Sequence, residues 1–150
     1  MDIQFRPFIS SDLPVIHQFG LEHLGYDVPL AELKQRLDLV NADQDHFFRL
    51  AEDDLGTVLG MVHAYYMPLS IEPPQVVLYS LVVGPAARGK KLGSRFIALV
   101  DDFARSRNVS VMMVGTSVER EQAIQFYRSQ GFEPSKQWAI LKRPVRQDSP

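Results

Sequence analysis

Residues 76–94, VVLYSLVVGPAARGKKLGS, constrain this chain more than any other stretch. Residues 76–83 form an apolar, β-branched run that reads as a buried strand. Gly84-Pro85 breaks it, and a basic run follows, Arg88-Gly89-Lys90-Lys91-Leu92-Gly93. Leu92, Phe96, Leu99, Val100 and Phe103 then fall on one face of a helix. Strand, short glycine-containing loop and helix start is the arrangement in which backbone amides and the helix dipole hold a pyrophosphate-sized anion. The competing reading is a plain turn before a solvated helix start. Three cations at a helix N-terminus oppose the dipole by a few tenths of a kcal/mol each, a cost that a bound anion offsets.

A nucleotide P-loop fits less well. Gly84 and Gly89-Lys90 approximate G-x-x-x-x-G-K-[ST], but Lys91 stands where the metal-binding hydroxyl belongs. Pro85 also removes a backbone donor. A dinucleotide fingerprint, G-x-G-x-x-G, does not occur.

The rest of the chain supplies strands and helices around this unit. Residues 3–8 read as a first strand. Ser10, Ser11 and Asp12 are helix-capping types with Pro14 in the first turn, and Gly25 closes the helix they start. A second helix follows Pro29 with the stripe Leu30, Leu33, Leu37 and Val40. Residues 47–52 and 57–67 form a hairpin about Asp53-Asp54-Leu55-Gly56. Three prolines mark residues 67–75 as a loop. After the basic helix, residues 109–114 read as a strand, and strand–helix–strand implies a right-handed parallel crossover. Residues 119–130 read as a short helix stopped by Gly131. Phe132 and residues 138–141 suggest a closing pair of strands, with a polar, frayed tail over 144–150.

A chain of 150 residues is one domain by default. Its net charge of -2 argues against nucleic acid as the main partner. It has no cysteine, hence no disulfide framework and no thiolate nucleophile or metal site. No apolar segment has the length of a membrane span or signal peptide, so a cytoplasmic protein without a membrane partner is expected.

Residues 83–93, Val-Gly-Pro-Ala-Ala-Arg-Gly-Lys-Lys-Leu-Gly, resemble the signature of the GNAT superfamily of N-acetyltransferases, V-x-P-x-x-R/Q-G-x-G-x-G/A. Lys91 replaces one family glycine. Residues 123–132, with Phe126-Tyr127 and Gly131-Phe132, are similar to the family's A-x-x-F-Y-x-x-x-G-F helix and follow in the expected order. The resemblance covers residues 3–142 and lies toward small aminoglycoside-acetyltransferase-like members. It implies an α+β fold: a central mixed sheet of six to seven strands flanked by about four helices, with a parallel strand–helix–strand unit at the cofactor site. It also implies one domain over residues 1–143.

The function implied is acetyl transfer from acetyl-CoA, without a metal, to the amine of a small molecule. The resemblance assigns backbone contacts with the pantetheine arm to Leu81, Val82 and Val83. It assigns the pyrophosphate to Arg88, Gly89, Lys90, Lys91, Leu92, Gly93 and Ser94. Tyr127 becomes the proton donor to the departing thiolate, since a phenol near pKa 10 can donate toward a thiol near 8.5. From its spacing alone, with Ala123 and Ile124, Tyr127 reads first as a core aromatic. Many relatives carry a carboxylate base on the fourth strand, whereas this chain has Val77, Leu78, Tyr79 and Ser80 there. Tyr79, Ser80, His63, Glu72 and Glu119 are the remaining candidates. The acceptor side is expected from residues 24–29, residues 68–74 and the sheet edge after Phe132. An acyl-CoA-binding regulatory module without turnover, and acetylation of a protein N-terminus or lysine, are the alternatives; a homodimer stays open.

Overall fold

The computed structural model describes residues 2–87 and 89–148. The chain divides into two compact units, the first ending at Gly115 and the second starting at Thr116.

The first unit holds a sheet of β1 (Gln4–Arg6), β2 (His46–Glu52), β3 (Val58–Met67), β4 (Gln75–Val83) and β5 (Met112–Val114), with spatial order equal to chain order. The first three pairings are antiparallel, and β4 pairs with β5 in parallel. The β2–β3 turn is held by Asp53, whose Oδ1 accepts the Leu55 and Thr57 amides at 2.9 Å each. Gly56 takes the left-handed conformation that this turn needs (φ 81°).

Between β1 and β2 run α1 (Leu13–Phe19), continued by a π-helical turn at Gly20–Leu24, and α2 (Leu30–Ala42). Gly25 ends the first of these as anticipated, at φ 78°, with its amide on the Gly20 carbonyl. The helices cover one face of the sheet, where Ile16, Phe19 and Leu37 pack with Phe48, Leu50, Met61 and Val82. The opposite face carries α3 (Leu92–Ser106), whose Phe103 meets Phe47 and whose Phe96 meets Phe5. Alternation along β2 therefore serves two cores, Phe48 and Leu50 on one side and Phe47 on the other.

Arg6, Asp12 and Glu52 tie β1 and the start of α1 to the sheet. Arg6 donates to both Asp12 carboxylate oxygens at 2.8 Å and also to Glu52. The Ile9 amide donates to Asp12 at 2.9 Å. Burial alone would push the Asp12 carboxyl up. The Arg6 hydrogen bonds, the Ile9 amide and the Arg6 charge together hold it below its ordinary value.

The second unit contains α4 (Glu121–Ser129), stopped by Gly131 at φ 94°. The sheet has five strands among the described residues, not the expected six or seven. Residues 132–148 form no strand, and Trp138, Ile140 and Leu141 are largely exposed. An apolar run becomes a strand only when its amides find a ladder, and among the described residues this one has none.

Candidate active site

Around residues 76–94 the backbone does most of the work. β4 pairs with β3 along its whole length, from Gln75 opposite Met67 to Val83 opposite Gly60. It pairs with β5 only from Val76 to Leu78. Among the described residues, Tyr79 to Val83 therefore have no strand on the β5 side. The departure coincides with a bulge, where the β3–β4 register shifts between His63 and Ala64 and leaves Tyr79 as the extra residue. Beyond Leu78 the β5 side of β4 is left as a wedge with no strand on it among the described residues.

The wall ends in the basic loop. The Gly84 amide donates to the Leu59 carbonyl at 2.7 Å, and Pro85–Ala87 make one 3₁₀ turn. Gly89 has φ 80° and Lys91 φ 56°, so two left-handed residues set the entry to α3. Gly89 suits this conformation, whereas Lys91 adopts it against the usual Cβ penalty. Leu92 and Gly93 form the first turn of α3, whose amides lack intrahelical partners and face outward along the axis. Lys90 and Lys91 are exposed. A left-handed loop leading into a helix start is backbone of a kind that can cradle an anion.

This cradle depends on Gly60, which the sequence reading passed over. A Cβ on Gly60 would lie 2.3 Å from the Val82 carbonyl oxygen and 3.2 Å from Leu92 and Phe96. Glycine on β3 is thus what lets the first turns of α3 sit down on the sheet beside β4.

Leu81, Val82 and Val83 all lie on the open stretch of β4, with Val82 buried and its neighbours half-buried. Gly89, Lys90, Lys91, Leu92, Gly93 and Ser94 gather at the loop and helix start. Arg88 lies outside the described residues. Tyr127 belongs to the second unit, where its ring packs edge-on against Phe126 and Phe132 at 5.3 and 5.6 Å. Burial raises its phenol pKa, and the nearby Arg120 charge opposes that rise. The residue is thus a protonated hydroxyl at neutral pH.

Of the base candidates, His63, Tyr79 and Ser80 come together at the bulge. Ser80 is paired across the ladder with His63, and the Tyr79 ring stands edge-on to the His63 ring at 5.2 Å. Glu72 is exposed on the loop before β4, and Glu119 is exposed in the second unit. The structure adds a residue that had not been singled out, His46. Its Nδ1 lies 2.9 Å from His63 Nε2. The signal was available: a regular hairpin looped at Asp53–Gly56 puts His46 opposite His63, and the irregularity at Ala51/Glu52 shifts this only so far that Phe48 faces His63 with His46 on the same face two residues away. Burial, reinforced by His46, lowers the His63 pKa to about 4, so its ring is neutral at pH 7.

On the proposed acceptor side, Tyr26 is exposed and Asp27 pairs with His17 at 3.0 Å. Among the described residues no cluster of three or more His, Asp or Glu side chains has the arrangement of a metal site. No described helix is long and apolar enough to cross a membrane.

Comparison with known proteins agrees with this geometry. A model described as the acetyltransferase (GNAT) family matches residues 12–132. An aminoalkylphosphonate N-acetyltransferase of Salmonella typhimurium is 30% identical over 95 residues, 62% of this chain and 60% of that protein. The match thus spans less than two thirds of that relative's length. An IAA acetyltransferase of Azospirillum brasilense is 30% identical over 110 residues, 73% of this chain and 69% of that one. Among solved structures, an aminoglycoside N-acetyltransferase in complex with CoA superposes with a TM-score of 0.82 at 17% identity, covering 96% of each chain. At that identity it shows a shared fold.

Proposed function

Since the chain belongs to the acetyltransferase (GNAT) family, we propose that it is an N-acetyltransferase that moves an acetyl group from acetyl-CoA to the amine of a small molecule. The observation that carries the reading is the wedge: β5 ends opposite Leu78, and β4 runs on, with no strand on that side among the described residues, toward a left-handed loop and the start of α3. A pantetheine arm is an extended chain with amides, and an open strand edge suits it. The pyrophosphate suits the cradle beyond. Bound there, acetyl-CoA would supply an activated acyl group as a thioester.

The chain's own groups have defined tasks in this reading. Backbone amides of Leu81 to Val83 align the arm, and one of them polarises the thioester carbonyl in oxyanion-hole fashion. Gly89 to Ser94 hold the pyrophosphate through main-chain donors, with Arg88, Lys90 and Lys91 adding charge. Tyr127, protonated, donates to the departing sulfur. The acceptor is a primary amine, which near pKa 10.4 must lose a proton at a cost of about 4–5 kcal/mol at pH 7. Two of the relatives named above, the aminoalkylphosphonate and aminoglycoside N-acetyltransferases, act on amines by their names, and the exposed Tyr26 and Tyr79 suit an amphipathic amine.

Thiol release from acetyl-CoA, followed with a panel of aminoglycosides, aminoalkylphosphonates and simple alkylamines, tests the proposal. Turnover with at least one amine is expected. Tyr127→Phe should lower kcat by about 10²-fold while leaving calorimetric affinity for acetyl-CoA unchanged. The second reading, a regulatory module that binds acyl-CoA without turnover, draws on the absence of a carboxylate from Val77 to Ser80. It is selected if acetyl-CoA binds but no amine, peptide N-terminus or lysine is acetylated. Failure of acetyl-CoA to bind at all rejects both.

A further inference from the structure

The reaction proposed above leaves one task without a residue, removal of the proton from the acceptor amine, and the bulge holds a pair of groups suited to it. His63 stands beside Tyr79 where the wedge opens, and His46 stands behind His63 at the start of β2. Phe48 and Tyr65 wall the two rings, at 5.7 Å from His63 and 5.5 Å from His46. His46 also lines an open groove of about 550 Å³ between the C-terminal ends of α2 and α3. Asp43, Arg49 and Arg107 are the charged groups lining that groove, and Arg107 is paired with Asp45.

Resting on the transferase reading, we propose that His63 and His46 form a two-imidazole proton relay, which takes the proton of the acceptor amine at the β4 bulge and delivers it to the groove. Two neutral imidazoles joined by one N–H···N bond carry one further N–H and one vacant lone pair, placed at opposite ends of the pair. A proton entering at the outer nitrogen of His63 lets its Nε2–H pass to Nδ1 of His46. The Nε2–H of His46 then leaves to solvent in the groove. One proton enters, one leaves, and both rings end neutral; exchange with water resets the tautomers. Such a pair needs no stable imidazolium, which agrees with the low proton affinity that burial and His46 give His63. It also supplies a reason why β4 lacks a carboxylate.

The test combines structure and kinetics on the full chain. With histidine rings labelled with ¹⁵N, a scalar coupling between His46 Nδ1 and His63 Nε2 is expected in solution; its absence overturns the relay. With whichever amine of the panel wild type turns over, His63→Gln and His46→Gln should each lower kcat about 10²-fold at pH 7. The double variant should be no worse than either single one, and the deficit should shrink as pH approaches the pKa of the amine. Affinity for acetyl-CoA should not change. In His46→Ala, added imidazole should restore rate, because the groove admits it. Wild-type rates in His46→Gln, or additive losses in the double variant, overturn the relay alone. No turnover by wild type with any amine overturns the transferase reading instead.

Discussion

Asp12 and Lys91 show how single residues bear opposite kinds of cost. Asp12 is buried at 4% exposure, and its charge is matched by a two-pronged contact with Arg6 and by the Ile9 amide. Removing the carboxylate leaves the half-buried guanidinium with Glu52 and the Pro7 carbonyl, so Asp12→Asn is expected to destabilise the fold by about 3 kcal/mol. A urea midpoint with unchanged slope checks it. Lys91 instead holds a left-handed backbone that glycine would adopt freely. Lys91→Gly should raise stability by about 0.5–1 kcal/mol, after allowing for the greater freedom of glycine in the unfolded chain. Lys91→Ala keeps the Cβ and should not share the gain. Comparing the two denaturation curves isolates the backbone contribution from the lost charge.

At the scale of elements, the seat of α3 depends on a missing side chain. Gly60→Ala would force a Cβ to within 2.3 Å of the Val82 carbonyl oxygen. Either β3 and β4 separate or α3 lifts, and a loss of about 2–4 kcal/mol is expected, with acetyl-CoA affinity falling alongside. Thermal unfolding and calorimetry on the same preparation measure both. The loop and α3 were legible in the sequence because Gly84, Gly89 and the Leu92–Phe96–Val100 stripe are local signals. Gly60 was not, since its meaning lies in what approaches from 32 residues later in the chain. The bulge at Tyr79 was hidden for the same reason, being a relation between strands, whereas the His46–His63 contact follows from the β2–β3 hairpin. The closing strands failed in the other direction, where Trp138, Ile140 and Leu141 have strand-like types without a described ladder.

For the whole molecule, the proton balance of folding follows from His63. An unfolded histidine titrates near 6.5, whereas His63 in the fold does so at about 4. Between those values the unfolded chain binds a proton that the folded chain does not. Stability attributable to this site is therefore intact above pH 6.5 and is lost as pH falls toward 4, by at most about 1.4 kcal/mol per unit. Asp12, with its lowered pKa, adds a loss at still lower pH. His63→Phe should flatten the stability curve between pH 6.5 and 4, as denaturation midpoints across that range will show.

The strand order has a consequence for how the chain is made. Because the five strands lie side by side in the order of translation, each can find its neighbour already formed as it leaves the ribosome. No gap has to be kept open for a later arrival. Two steps must wait for helices, β1 to β2 for α1 and α2 and the parallel step from β4 to β5 for α3, and during the second interval the β4 edge stands bare. The nascent chain exposes for a moment an edge that, in the folded sheet, has no strand beside it among the described residues from Tyr79 onward.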